Sequence, residues 1–183
     1  MRYIIGVIIV VLALFFILIA LINRGGNDEQ GERAVDLTDY ANRAAQVEYT
    51  QYGRVVAQED RRAVRISVSR TERVIEVLHG YEERVERREV FENIESAYSE
   101  FIMALHRAGY ATEREASEDE RGFCPTGKRY TYQLVNDTSR VFDNWSTSCS
   151  RAQGSFAGEA GLVRRLFENQ IPEYSTITRG VRL

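Results

Sequence analysis

Two cysteines, Cys124 and Cys149, are the most reactive side chains in the sequence, and thiols can form a disulfide, bind a metal or act as nucleophiles. A zinc site normally has four ligands, and no histidine is near either cysteine in the sequence. Cys124 is followed by Pro-Thr-Gly, which is not the Cys-x-x-Cys pattern of redox proteins. We therefore predict a structural disulfide that closes a loop of roughly 25 residues.

The two histidines, His79 and His106, are the remaining candidates for acid–base chemistry. No serine lies in a Gly-x-Ser-x-Gly context, and the sequence places no carboxylates in a buried pair. The stretch from Gly122 to Lys128 is no phosphate-binding loop, because Arg129 stands where that motif needs Ser or Thr. The sequence thus predicts no metal and no cofactor. It favours a non-catalytic protein, with a hydrolase as the less favoured alternative.

The cysteines flank a predicted β-hairpin, with strands at residues 128–135 and 139–146 joined by a turn at Asn136 and Asp137. With the turn there, Cys124 would lie directly opposite Cys149, within the Cα distance of a disulfide. Such a bond forms in an oxidising compartment, which indicates a domain outside the cytoplasm.

Three aromatic residues, Tyr130, Tyr132 and Trp145, would share one face of this hairpin in that register. Two interpretations remain open. The aromatic side chains either pack within the sheet, or they form an exposed patch that contacts a partner.

The elements around these residues predict an α+β fold, with a mainly antiparallel sheet of about six to seven strands packed against two amphipathic helices. Short connections favour antiparallel pairing. A lead-in turn capped by Asp36 or Thr38 comes first. Period-two alternation then predicts strands at residues 47–56, 63–70, 74–78 and 81–91, the hairpin, and a last strand at 175–183. Apolar residues at helical spacing predict helices from Asn93 to a stop at Gly109 and over residues 158–169.

The N-terminal segment from Tyr3 to Ile22 contains no charged residue and is long enough, at about 30 Å as a helix, to cross a bilayer. We predict a transmembrane signal anchor at residues 1–23, a flexible polar tether at 24–34 and an extracytoplasmic domain at 35–183. The N-terminus would be cytoplasmic, and the domain would stand outside a cell membrane. The pattern predicts strands followed by a helix both in residues 35–110 and in residues 123–183. The domain could therefore consist of two similar halves.

The charge pattern argues against nucleic-acid binding. The chain carries a net charge of −3, and Lys128 is its only lysine. Arginines alternate with glutamates in residues 82–89, which is typical of a solvated surface rather than a basic patch.

The anchor, the stretches AVRISVSRTERVIEVLHGYEERV and CPTGKRYTYQLV…WSTSC, and the closing LFENQIPEY together resemble uncharacterised single-span extracytoplasmic proteins of bacteria. The resemblance implies a compartment and no activity. We therefore expect a membrane-anchored, non-catalytic binding or scaffold domain that contacts an envelope protein or peptide. An accessory subunit of an envelope assembly is the alternative.

Overall fold

The computed structural model describes residues 33–117, 122 and 124–183. The chain divides into a unit of residues Met1–Glu32 and a unit of residues Arg33–Leu183. The predicted anchor and most of the predicted tether lie outside the described residues. Within the described part of the chain, no helix combines the length and the apolar character needed to span a membrane.

The unit Arg33–Leu183 has the predicted α+β composition, with a six-stranded antiparallel sheet and few helices. A short 3₁₀ helix, Leu37–Tyr40, is capped by the Asp36 side chain, as predicted. The strands are β1 (Arg33–Ala34), β2 (Ala45–Tyr52), β3 (Arg62–Val68), β4 (Glu72–His79), β5 (Arg84–Glu92), β6 (Thr112–Glu113), β7 (Arg129–Asn136) and β8 (Ser139–Thr147). The helices are α1 (Glu95–Arg107), α2 (Ala160–Glu168) and the single turn α3 (Tyr174–Ile177).

The main sheet has the strand order β5-β4-β3-β2-β7-β8, and β1 pairs with β6 in a separate two-stranded ribbon. The strands that precede α1 and the hairpin that follows it therefore belong to one sheet, joined where β2 pairs with β7. One face of the sheet carries Val47, Ile66 and Ile75, which pack in a core shared with α1 and α2. We call this side the helix face.

The first helix ends as its sequence indicates. Gly109 has a φ of +70°, and the N–H of Tyr110 donates to the Leu105 carbonyl at 3.0 Å. This is the Schellman arrangement, in which a left-handed residue satisfies the last carbonyls of a helix. It confirms Gly109 as the helix stop and directs Tyr110 into the core.

The predicted last strand at residues 175–183 is wrong, because the chain forms the helical turn α3 instead. Glu173 adopts a left-handed conformation with a φ of +55°, and this turns the chain back after Pro172. Ile177 then reaches the core. Burial of one side chain outweighs the strand propensity of a short Thr- and Val-containing segment, since that propensity depends strongly on context.

Gly158 lies where two backbone segments meet, and it provides a test of this packing. A Cβ at this position would collide with the carbonyl oxygens of Gly109 and Ala108. We expect Gly158→Ala to lower the free energy of unfolding by about 1–3 kcal/mol, as overpacked sites do. Gly161→Ala is the matched control, because its Cβ would lie 3.7 Å from the nearest atom, Nη1 of Arg165.

The control substitution lies in a helix and should be neutral or stabilising, by up to about 1 kcal/mol. Denaturant titration of the full chain in detergent micelles measures both effects through Trp145, the only tryptophan in the sequence. Equal stabilities for the two variants would contradict the close contact at Gly158.

Candidate functional site

The two cysteines are placed together, as predicted. The Cα atoms of Cys124 and Cys149 are 5.9 Å apart, and the pair is compatible with a disulfide. Both side chains are half-buried. Gly127 packs directly on them, because a Cβ there would collide with Sγ of Cys124.

The predicted register that led to this pairing is wrong. Thr131, not Lys128, lies opposite Trp145, and a bulge shifts the register between Leu134 and Val135. Asn136 pairs with Ser139, so the two-residue turn lies one position later than expected. The cysteines meet outside the ladder instead. A turn closed by the Gly127 N–H and the Cys124 carbonyl, at 3.1 Å, carries Cys124 back towards its partner.

The corrected register separates the three aromatic residues that were predicted to share a face. Tyr130 and Tyr132 lie on the helix face, whereas Trp145 lies opposite Thr131 and so belongs to the other side of the sheet. Tyr132 is fully buried, Trp145 is 7% exposed and Tyr130 is half-buried. Together they do not make an exposed patch.

Tyr130 and Tyr132 instead line a cavity of about 230 Å³ beneath the start of α2, which we call the tyrosine cavity. Its other lining residues are Tyr49, Ala160, Gly161 and Arg164. Tyr49 and Tyr132 are register partners on β2 and β7, and the rings of Tyr49 and Tyr130 are nearly parallel, with centroids 6.3 Å apart. The sheet thus supplies a floor of phenol rings, and the helix supplies an arginine.

The tyrosine hydroxyls in this cavity remain protonated at neutral pH. Burial raises the pKa of Tyr49 and of Tyr132 far above the usual value for tyrosine. Burial also raises the pKa of the neighbouring Tyr174, to about 12. The positive charge of Arg164 acts on the pKa of all three in the opposite direction. The phenols are therefore neutral, and each hydroxyl can donate a hydrogen bond.

A second and larger concave region, of about 700 Å³, lies at the end of the sheet where α1 begins. We call it the sheet-end groove. Its walls come from the start of β2, the β3–β4 turn, the segment between β5 and α1, and the β7–β8 hairpin. The lining residues are Ala44, Ala45, Gln46, Ser69, Arg70, Thr71, Asn93, Ile94, Glu95, Val135 and Asp137.

The groove combines a neutralised charge pair with an exposed apolar side chain. The guanidinium of Arg70 binds the Glu95 carboxylate at 2.6 Å and donates to the Asn42 carbonyl at 3.1 Å. Asn93 donates to the Ser69 carbonyl at 2.6 Å, which ties the start of α1 to the β3–β4 turn. Ile94 stands between these contacts and is 65% exposed. These contacts tie the walls together, and the groove presents apolar and hydroxyl groups, the neutralised Arg70–Glu95 pair and the carboxylate of Asp137.

The histidines are not arranged as a catalytic triad requires. Nδ1 of His106 lies 3.8 Å from Oδ1 of Asp36, and the Thr38 hydroxyl donates to that same oxygen at 2.7 Å. The hydroxyl therefore contacts the carboxylate rather than the imidazole. His79 lies apart from this group and contacts the Glu59 carbonyl at 3.2 Å. Within the described residues, no group of three or more His, Cys, Asp or Glu side chains is arranged to hold a metal ion.

Comparisons with protein-family models, with curated proteins and with solved structures found no match. A function for this protein must therefore be inferred from its own geometry. Sequence reasoning missed Tyr49 and Arg164, because each comes from a different element and neither belongs to a local motif. Ile94 follows strand β5 and directly precedes α1, and although it is apolar it is exposed.

Proposed function

We propose that this protein is a non-catalytic binding domain, held at the outer face of a cell membrane by residues 3–22, whose sheet-end groove takes an uncharged polypeptide segment of an envelope partner. One observation carries the proposal, namely the exposed Ile94 on the wall of a groove of about 700 Å³, a size typical of ligand pockets. The apolar N-terminal segment and the disulfide-compatible cysteines support the compartment.

The groove suits a polypeptide because most of its polar groups are neutral donors and acceptors, with Asp137 as the one charged group that has no ion-pair partner among the described residues. Thr71 and Asn93 line one wall with a hydroxyl and an amide group, and Ala44 and Val135 offer apolar surface. Arg70 and Glu95 already neutralise each other. A charged partner would gain little from this pair, whereas a segment with one apolar side chain would cover Ile94.

The edge of the sheet is a poorer site for a peptide strand. Strand β5 is an outer strand, but Arg87 and Glu89 lie on its helix face, and inward charges of this kind oppose pairing with another strand. At the other edge, the Phe156 N–H donates to the Trp145 carbonyl of β8 at 3.0 Å. These features favour the groove over strand addition.

The groove also lies away from the point where the chain enters the domain. Asp36 lies beside His106 in the last turn of α1, and β1 pairs with β6 just beyond that turn. The groove is at Glu95, in the first turn. The 13 residues of α1 span about 20 Å, so the domain presents the groove at the far end of α1 from its N-terminal strand.

Photo-crosslinking in the cells that naturally make the protein tests this proposal. A benzophenone amino acid would replace either Ile94 or Val55, an exposed apolar residue outside the groove that serves as the matched control. We expect a discrete protein adduct from position 94 and none from position 55. Adding Ala44→Phe, which fills the groove, should reduce the adduct at least about 10-fold, since one lost contact of about 1.4 kcal/mol has that effect.

The same adducts from both positions, or an adduct that Ala44→Phe leaves unchanged, would contradict the groove as the site. An adduct that disappears when residues 3–22 are replaced by an unrelated membrane span would favour the alternative, an accessory subunit whose main contact is its anchor.

A further inference from the structure

We infer that the tyrosine cavity is a second binding site, separate from the groove, and that it takes a small organic monocarboxylate. Three tyrosines and Arg164 line it, so its polar side chains offer O–H and N–H donors and include no carboxylate. An ionised carboxylate only accepts hydrogen bonds, so its oxygens could accept from several of these donors at once.

Two donors of the cavity, those of Tyr49 and Arg164, are weakly engaged within the described part of the protein. Tyr49 contacts Oε1 of Gln51 at the long distance of 3.5 Å. Within the described residues, Arg164 has one ion-pair contact, to Glu168 at 3.9 Å, which leaves most of its five N–H groups for another acceptor. The Tyr132 hydroxyl is shared with Ser146 at 2.8 Å, which fixes the ring in place.

The charge around the cavity suits a single negative charge. Arg164 lies on the lining, and Nη1 of Arg165 lies near Gly161 on the same helix. Glu168 partly offsets these two cations, since it lies 3.9 Å from Arg164. A phosphate, with about two negative charges, would meet too little positive charge and too much aromatic carbon.

The size and the walls of the cavity limit which organic group can be attached to the carboxylate. Its volume of about 230 Å³ is below the range of about 300–1,000 Å³ that is usual for drug-sized ligands. The faces of Tyr49 and Tyr130 offer apolar surface beside the donors. An acid with a small flat or aliphatic body fits, with its carboxylate near Arg164, whose side chain is 44% exposed and so lies at the opening.

Calorimetric titration of the full chain in zwitterionic nanodiscs, with empty nanodiscs as the blank, tests the site. The probes are sodium benzoate, sodium acetate and inorganic phosphate. We expect saturable benzoate binding, weaker acetate binding and no phosphate binding. R164Q should weaken benzoate binding about 10-fold or more, because it removes a charge-assisted hydrogen bond. Tyr130→Phe, which removes one hydroxyl from a half-buried ring, should weaken it several-fold.

Arg54→Gln is the matched control, because Arg54 is an exposed arginine on the loop after β2, and it should leave benzoate binding unchanged. Arg164→Lys keeps the charge and should restore part of the affinity that R164Q loses. Absence of benzoate binding, equal binding by R164Q and the native chain, or a preference for phosphate would each overturn the assignment. Ala44→Phe should not affect benzoate binding, so failure of the groove and failure of this site are distinguishable.

Discussion

Phe167→Ala is expected to lower the free energy of unfolding by about 3–5 kcal/mol, the largest effect of any single substitution considered for this protein. Phe167 is fully buried on α2. The centroid of its ring lies 5.2 Å from that of Phe101 of α1, in an edge-on arrangement, and 5.5 Å from that of Tyr49 of β2. Removing the ring would leave a cavity where both helices and the sheet converge, and the surrounding aromatic rings are too rigid to fill it.

Leu166→Ala is the matched control, because Leu166 is the neighbouring residue of the same helix and is only half-buried. We expect Leu166→Ala to lower the free energy of unfolding by less than half as much as Phe167→Ala does. Denaturant titration of the full chain in micelles, followed through Trp145, measures both variants. Similar losses for the two would show that α2 does not depend on the aromatic junction at Phe167.

Loss of the disulfide is expected to cost about 2–4 kcal/mol, because the bond limits the freedom of the unfolded chain over a sequence separation of 25 residues. The variant to make carries both Cys124→Ser and Cys149→Ser, which leaves no unpaired thiol. A reducing agent should lower the stability of the native chain to that of the variant and should leave the variant unchanged.

The state of the cysteines in intact cells tests the compartment as well. A membrane-impermeant thiol reagent should label the native chain only after reduction. Labelling that requires membrane permeabilisation, and does not require reduction, would place the domain in the cytoplasm and overturn the proposed topology.

The sequence predicted the strands well where the two faces of a strand lie in different environments. In β3, Val64 and Ile66 alternate with Arg65, and the strand forms at residues Arg62–Val68, close to the predicted range. The predicted helix at residues 158–169 forms as Ala160–Glu168. In these segments the local pattern and the final packing agree, so a short window of residues is sufficient to predict the element.

The hairpin register could not be obtained in the same way. The bulge after Leu134 shifts the pairing, and a bulge depends on how the strand fits its neighbours rather than on its own sequence. Tyr132 and Trp145 therefore moved to opposite faces, since a shift by an odd number of positions reverses the side of every later residue. The cysteines still lie together, because the turn between Cys124 and Gly127 carries Cys124 towards Cys149.

The two candidate sites were still harder to foresee. Tyr49, Tyr130 and Arg164 come from three elements, and only the pairing of β2 with β7 and the placement of α2 bring them together. The sheet-end groove is formed largely by turns and by element ends. No local pattern in a sequence predicts a groove that is formed in this way.

Strand β5 has a further consequence if the chain is anchored in a membrane as proposed. Copies anchored in the same bilayer diffuse in two dimensions and meet far more often than free molecules at the same cellular abundance. An outer strand with bare backbone groups would then join neighbouring copies edge to edge. Arg88, paired with Glu76 at 3.3 Å, and the other charges of residues 82–89 would lose contact with water if an identical strand paired here. The charged edge therefore opposes edge-to-edge polymerisation of copies that share one membrane.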